Sequence, residues 1–386
     1  MNDASKSQGP LHGVKVVEFV GLGPAPFCAM LLSDLGADVI RIDRPGALGG
    51  GAEEVLARGR RSIGVNLKAD GALELCLNLL KSADILLEGY RPGVMERLGL
   101  GPDVCLKANP RLVYGRMTGW GQHGPLAHAA GHDLNYIALT GALDGIGPKD
   151  RPVPPLNVVG DFGGGSLYLA VGVLAALHHA RATGEGQVVD AAIVDGTTHL
   201  MAAVHQLAAM GMWNAPRGDN LLDGGAPFYD CYECADGAFI SIAPLEAEFF
   251  ALLIEKLGLK EHPAMQMQYD PTRWPEMRQV FEATFKSKSR AEWCELLEGS
   301  DVCFAPVLNT VEAARHPHMA ARAAFTEVEG VRQASPAPRF SRTPGAIQGA
   351  APAPGSDSAE TLRAWGFSEP EVNELQRNGV VSGGEA

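Results

Sequence analysis

The chain has no surplus of positive charge: 32 Lys and Arg stand against 45 Asp and Glu, a formal charge of −13. A nucleic-acid surface needs a strong basic footprint and is thereby excluded as a partner. Any anionic ligand must be held by a local cluster of bases. Cysteine is sparse as well. Seven cysteines in 386 residues cannot form the dense, evenly counted framework of a small secreted domain, which leaves free thiols in a reducing cytosol. The first thirteen residues are polar and lack the apolar core of a signal peptide. The longest apolar run, residues 167–177, falls short of the roughly 20 residues of a membrane span. The expectation is a soluble, cytoplasmic protein without a membrane partner. No internal repeat of 20–50 residues is visible. Hydrophobic residues, at 46%, supply an ordinary globular core, and single cores stop growing at roughly 250–300 residues, so two domains are expected.

Residues 14–20 form a short β-branched apolar run, followed by Gly21, Gly23 and Pro24 and a helical pattern that stops at Gly36. Residues 37–42 read as the next strand, ending at Asp43. The opening is thus a βαβ unit, which implies a parallel sheet with right-handed crossovers. A helix over 71–81 and strands at 84–87 and 112–117 continue it. Residues 167–180 are apolar nearly all round and read as a helix buried among other elements. A strand at 187–194 and a helix at 197–212 follow. The pattern then changes: β-like segments on either side of Asp236 and Gly237 form a hairpin within 227–244, with helices at 246–257, 274–286 and 290–297. This predicts a second, smaller α+β domain. Residues 334–358, rich in Ala, Pro, Ser and Gly, read as a linker. The last helix is announced by Ser368 and Glu371 in capping-box spacing and ended by Gly379.

Several chemistries are missing a part. Gly21 and Gly23 after a strand, with Asp43 about 20 residues on, imitate a dinucleotide fingerprint. The third glycine is absent, however, and Pro24 and Pro26 offer no N–H to a phosphate. A tight strand-to-helix turn is the better reading. Cys231 and Cys234 have redox or zinc spacing but no second Cys or His pair, so no metal site is expected. Ser166 is not in a nucleophile elbow, which disfavours a serine hydrolase.

What remains is a set of candidates, each with a plainer alternative. Arg58, Arg60, Arg61 and Lys68 lie in a stretch without an acid, and with Arg41, Arg44 and Arg91 they gather at strand ends, where open α/β sheets bind ligands. They suit multiply charged phosphates or form a solvated face. His132 is an acid–base candidate or a hydrogen-bonded structural histidine, and Asp133 a helix cap. Asp161, before three glycines and the apolar helix, is a carboxylate beside N–H donors for a developing oxyanion, or simply an N-cap.

Taken together, Gly13-Val-Lys-Val-Val-Glu18, Leu35-Gly-Ala-Asp-Val-Ile-Arg-Ile-Asp-Arg-Pro45, Asn66-Leu-Lys68, Glu88-Gly-Tyr-Arg-Pro-Gly93, Thr118-Gly-Trp-Gly-Gln122, Gly131-His-Asp133 and Gly160-Asp161 resemble the family III CoA-transferase superfamily. Within it they resemble the racemases of α-methylacyl-CoA, from about Leu11 to Arg342. The resemblance implies an α/β fold with a Rossmann-like parallel-sheet large domain formed by both chain ends. Residues 1–200 would make that domain, completed by 330–386, with a small domain at 225–325 and linkers at 201–224 and 326–358. It also implies an interlocked homodimer. His132 and Asp161 match the pair flanking the α-carbon of the acyl thioester. Glu246 matches a glutamate reaching that site from the partner chain's small domain. Arg44, Arg58, Lys68 and Arg91 match positions that hold CoA phosphates. No cofactor beyond the substrate's own CoA is implied. The implied reaction is epimerisation through an enolate, by a base on each face of the carbon and donors for the enolate oxygen at the glycine-rich helix start. Two alternatives are a CoA-transferase with Asp161 as nucleophile, disfavoured by His132, and an acyl-CoA-binding protein without catalysis.

Overall fold

A computed structural model describes residues 9–213 and 215–382. The chain divides into two compact units: Met1–Thr140 with Leu156–Leu200 and Arg322–Ala386, and Gly141–Pro155 with Met201–Ala321.

The first unit is built on six parallel strands, β1 (Lys15–Phe19), β2 (Asp38–Asp43), β3 (Arg61–Gly64), β4 (Ile85–Glu88), β5 (Val113–Thr118) and β6 (Val188–Ala192), in the order β3-β2-β1-β4-β5-β6. This is a doubly wound sheet whose order reverses between β1 and β4, and such sheets bind ligands at that switch, beyond the strands' carboxyl ends. Both faces are covered, which is why the strands read as continuous apolar runs. Along β1, Val17 and Phe19 enter one core with α2 (Ala72–Lys81) and the C-terminal helix Ser358–Ala364, while Val16 enters the other with α1 (Pro24–Asp34). The strand β3 and the short helices α3 (Val94–Arg97), α4 (Pro102–Ala108) and Ser358–Ala364 are not among the elements read from the sequence. α5 (Asp133–Leu139), a π-helical turn (Val158–Ser166), α6 (Leu167–Thr183) and α7 (Ile193–Leu200) complete the helices on the β5–β6 side.

Three expectations change. Residues 197–212 form no single helix: α7 ends at Leu200 and α8 (Ala202–Ala209) follows Met201, while the expected strand to 194 stops at Ala192. α6 is buried on one side only. Leu169, Ala170, Val173 and Leu177 face the core, whereas Leu167 and Val171 are 46% and 68% exposed. The π-helical turn runs directly into α6, so Val158–Thr183 is a continuous helix of 26 residues, long and apolar enough to cross a membrane. The 11-residue run had suggested something shorter.

Residues 335–357, between the strand Val331–Ala334 and the helix that starts at Ser358, carry no helix or strand, yet they are held along their length. Ala346 N–H donates to Asp34 O, Gly59 N–H to Gly349 O, and Gly51 bridges to Ala351. Beyond them, Asn66 N–H donates to Val380 O and Ser382 N–H to Gly64 O, which ties the last helix, Glu369–Arg377, to the β3 edge.

The second unit holds the antiparallel sheet β7 (Asp230–Glu233), β8 (Phe239–Ile242) and β9 (Phe304–Pro306), with the hairpin where the sequence placed it. It is covered by α9 (Ala247–Lys256), α10 (Trp274–Phe285) and α11 (Arg290–Leu297). Its core is aromatic: Phe285 and Trp293 meet edge to face at 5.2 Å, and Trp293 donates to Phe285 O at 2.8 Å. A hairpin of β10 (Phe325–Val328) and β11 (Val331–Ala334) belongs to the first unit.

Candidate active site

At the β1/β4 switch the chain leaves β1 through Gly21–Gly23 and leaves β4 through Gly89–Arg91, and between these turns opens a cavity of about 890 Å³. His132, Asp161, Arg44 and Arg91 all line it, with Tyr90 and Tyr136. Arg41 lines it too, so five of the candidates singled out in the sequence come together, although 120 positions separate the first from the last.

His132 is the N-cap of α5 and is exposed; its N–H donates to Asn135 Oδ1 at 3.1 Å. The capping position belongs to His132 and not to Asp133, which is the first helical residue. The Asp133 carboxylate reaches across instead: its Oδ1 accepts the N–H of Asp161 at 2.7 Å. Asp161 is not an N-cap either. It lies in the first turn of the π-helical segment, half-buried, where the helix dipole favours a carboxylate. Burial, followed by the negative charge of Asp133, pushes its pKa above the ordinary aspartate value, while a hydrogen bond from Asn157 and the charge of His132 pull it back. Gly23 caps α1 at φ 65°, a left-handed conformation that suits glycine, and a Cβ there would stand 3.3 Å from Asp161 Oδ2.

At the helix start two N–H groups are already engaged within the protein. Asp161 N–H goes to Asp133, and Phe162 N–H to Asn157 O at 3.2 Å.

The basic cluster resolves into two kinds of residue. Arg44 and Arg91 are exposed on the cavity wall. Arg58, expected on CoA, is buried and ion-paired with Asp34 at 2.5 Å, its other nitrogen donating to Gln333 Oε1 at 2.7 Å and Ala334 O at 2.9 Å. Arg60 pairs with buried Glu18 at 2.5 Å, Arg41 with Asp43 at 2.7 Å, and Arg61 with Asp38. The acids missing from residues 55–69 come from β1, α1 and β2. Lys68 is exposed in the turn after β3 and does not line the cavity.

Glu246 belongs to the second unit, where it is exposed at the N-cap of α9. Sequence reasoning missed Asn157 and the role of Asp133. A carboxylate directly after the candidate base was the one signal available.

A phosphate-bearing ligand fits Arg44 and Arg91 on charge, and the cavity between them takes a ligand far larger than an amino acid. A histidine and a partly buried carboxyl lining one cavity are groups that can exchange protons with a ligand held in it.

Known proteins share this architecture. The model of CoA-transferase family III matches residues 11–358. The chain is 44% identical to the α-methylacyl-CoA racemase of Mus musculus over 375 residues, 96% of this chain and 97% of that protein. It is 43% identical to the human α-methylacyl-CoA racemase over 376 residues, with the same coverage. The acetyl-CoA:oxalate CoA-transferase of Acetobacter aceti is 32% identical over 85% of this chain and 88% of its own length. Among solved structures, Rv3272 of M. tuberculosis superposes with a TM-score of 0.76 at 26% identity, over 92% of this chain and 99% of that one. With a parallel sheet of this order, a matching domain model and relatives over nearly its whole length, the chain belongs to CoA-transferase family III.

Proposed function

We propose that this protein is a racemase of 2-methyl-branched acyl-CoA thioesters, interconverting their (R) and (S) forms. The observation that carries the reading is the convergence of His132 and Asp161 on one cavity that Arg44 and Arg91 also line. Near-full-length identity of 43–44% to proteins named as such racemases supports it.

A thioester carbonyl acidifies its α C–H only weakly, so the chemistry needs a base on one face and an acid on the other. His132 takes the α-proton, the C–H electron pair moves into the carbonyl to give an enolate, and protonated Asp161 delivers its proton to the opposite face. The reverse direction uses the same two groups with roles exchanged. A carboxyl raised by burial is suited to this, because it holds a proton closer to neutral pH than an exposed aspartate does. Arg44 and Arg91 bind the CoA phosphates. No cofactor other than the substrate's CoA enters.

The active species is proposed to be a homodimer in which Glu246 of a second copy serves the acyl site. Leu139, Val158, Val171 and Leu200 are 65%, 58%, 68% and 50% exposed on helical segments that pack together. An apolar patch of that kind marks an association surface.

The test is incubation of one epimer of a 2-methylacyl-CoA in D₂O without a carboxylic acid acceptor. The expected result is α-deuterium incorporation and drift toward a near-equal mixture of epimers. A protein that leaves the α-hydrogen untouched, yet moves CoA once a carboxylic acid is added, is a transferase using Asp161 as nucleophile.

A further inference from the structure

The proposed reaction requires His132 and Asp161 to stand on opposite faces of one carbon, yet they come from segments 29 positions apart. We propose that Asp133 is the positioning residue that ties these segments together, by gripping the main chain of Asp161. The inference rests on the racemase reading.

Three observations carry it. Asp133 Oδ1 accepts the Asp161 N–H at 2.7 Å, a bond between an ionised acceptor and an N–H of a first helical turn, which has no intrahelical partner. The approach is so close that position 160 has no room for a side chain: a Cβ on Gly160 would stand 2.3 Å from Asp133 Oδ1 and 2.7 Å from Ile137 Cγ2. Finally, Asp133 directly follows His132, so two consecutive residues carry one base and hold the other. Displacing either segment alone must break this bond.

The same carboxylate places a negative charge near the Asp161 carboxyl. The groups facing that carboxyl are Asp133, His132 and Tyr136 from α5 and its cap, Asn157 from the same turn, and uncharged Gly23 from α1. β5 and α7 bring Met117, Ile193 and Thr197 to the glycines that follow. Asp133 is thus the one anion in this set besides Asp161 itself.

The experiment follows exchange and inversion separately, from each epimer in D₂O, for wild type, Asp133→Asn and Asp133→Ala. Asparagine keeps an acceptor oxygen and loses the charge; alanine loses both. Asp133→Ala is expected to slow inversion about 10- to 100-fold, the cost of a misplacement near 1 Å, with KM within about twofold. The epimer whose α-hydrogen faces His132 should go on exchanging without inverting, while the other epimer loses exchange. Asp133→Asn should restore inversion and move the acid limb of the kcat/KM profile to lower pH, because a charge that raises Asp161 is gone. A merely structural role would move neither the exchange-to-inversion ratio nor the limb.

Inversion by Asp133→Ala within threefold of wild type, or an Asp133→Asn as impaired as Asp133→Ala, overturns the assignment. Should the alanine variant not fold, Asp133→Asn decides: a displaced acid limb with inversion retained supports it, and an unmoved limb overturns it. A wild type without any α-exchange overturns the racemase reading and this assignment with it. An active wild type with an equally active Asp133→Ala overturns the assignment alone.

Discussion

Replacing Arg58 by alanine separates a structural role from a ligand-binding one. Its guanidinium and the Asp34 carboxylate are each 3% exposed and 2.5 Å apart, and the same side chain holds Gln333 and the Ala334 carbonyl. Removing one partner of a buried pair strands the other charge and costs about 3–5 kcal/mol. Against a typical stability of about 5–15 kcal/mol that loss is large. At about 2–4 °C per kcal/mol for a unit of this size, the melting temperature should fall on the order of 10 °C. The pH dependence has a definite sign. Burial already holds Asp34 above its ordinary pKa, and Arg58 pulls it down. Without Arg58 the folded-state value rises further, so the deficit is fully present at pH above that raised value and shrinks as the pH falls toward the unfolded one and Asp34 takes up a proton. Thermal melts of wild type and Arg58→Ala between pH 5 and 8 measure this, and a double variant with Asp34→Ala should lose less than the sum of the two single changes. KM for acyl-CoA at a temperature where the variant is folded should change little. A variant that melts like wild type but binds acyl-CoA tenfold more weakly would refute the reasoning and return Arg58 to the CoA site.

Arg44→Ala and Arg91→Ala should do the opposite, raising KM about 10- to 100-fold, the worth of a charged hydrogen bond, with kcat and melting nearly unchanged. The active form shares one proton between His132 and Asp161, so kcat/KM should be bell-shaped, with an acid limb at higher pH than an ordinary carboxylate would give; a rate unchanged down to pH 4 contradicts this. Val171→Asp, on the outward side of α6, should shift sedimentation from dimer to monomer and abolish epimerisation. Mixing refolded His132→Ala and Glu246→Ala chains should recover part of the activity, and mixed dimers without recovery would place Glu246 outside the site. Trp293→Ala should cost the second unit about 3–5 kcal/mol, read by denaturant titration.

Five of the six parallel strands were legible as short apolar runs separated by glycine-marked turns, whereas β3, with Arg61 and Ser62 in four residues, was hidden within the basic cluster. The hairpin of β7 and β8 was legible from Asp236 and Gly237, and the last helix from Ser368 and Glu371. Partnership across the sheet was not legible. Arg58, Arg60 and Arg61 looked like an unneutralised patch because Asp34, Glu18 and Asp38 lie 23–42 positions away and meet them only through the β1-β2-β3 pairing. The one-sided burial of α6 was hidden for a related reason: composition shows that a helix is apolar all round, not which of its sides the fold covers. At the site, His132 and Asp161 came from a resemblance between motifs. The Asp133 bond to Asp161 joins a side-chain carboxylate to a main-chain N–H over 28 positions and leaves no periodic trace.

The sheet's β3 edge is finished by the end of the chain, through Ser62 N–H to Asp357 Oδ2, Asn66 to Val380 and Ser382 to Gly64. During synthesis this sets an order. The ribosome delivers all six strands first, with the 141–155 segment of the second unit between β5 and β6, then the rest of the second unit from Met201, and only then the residues that close the edge and give Arg58 its Gln333. Until residues 322–386 emerge, a nascent first unit carries an open parallel edge and an incompletely bonded guanidinium, both hazards for association with other chains. A release before Arg322 should therefore yield a protease-resistant fragment from the second unit and an aggregating remainder, and supplying residues 322–386 as a separate peptide should rescue the remainder.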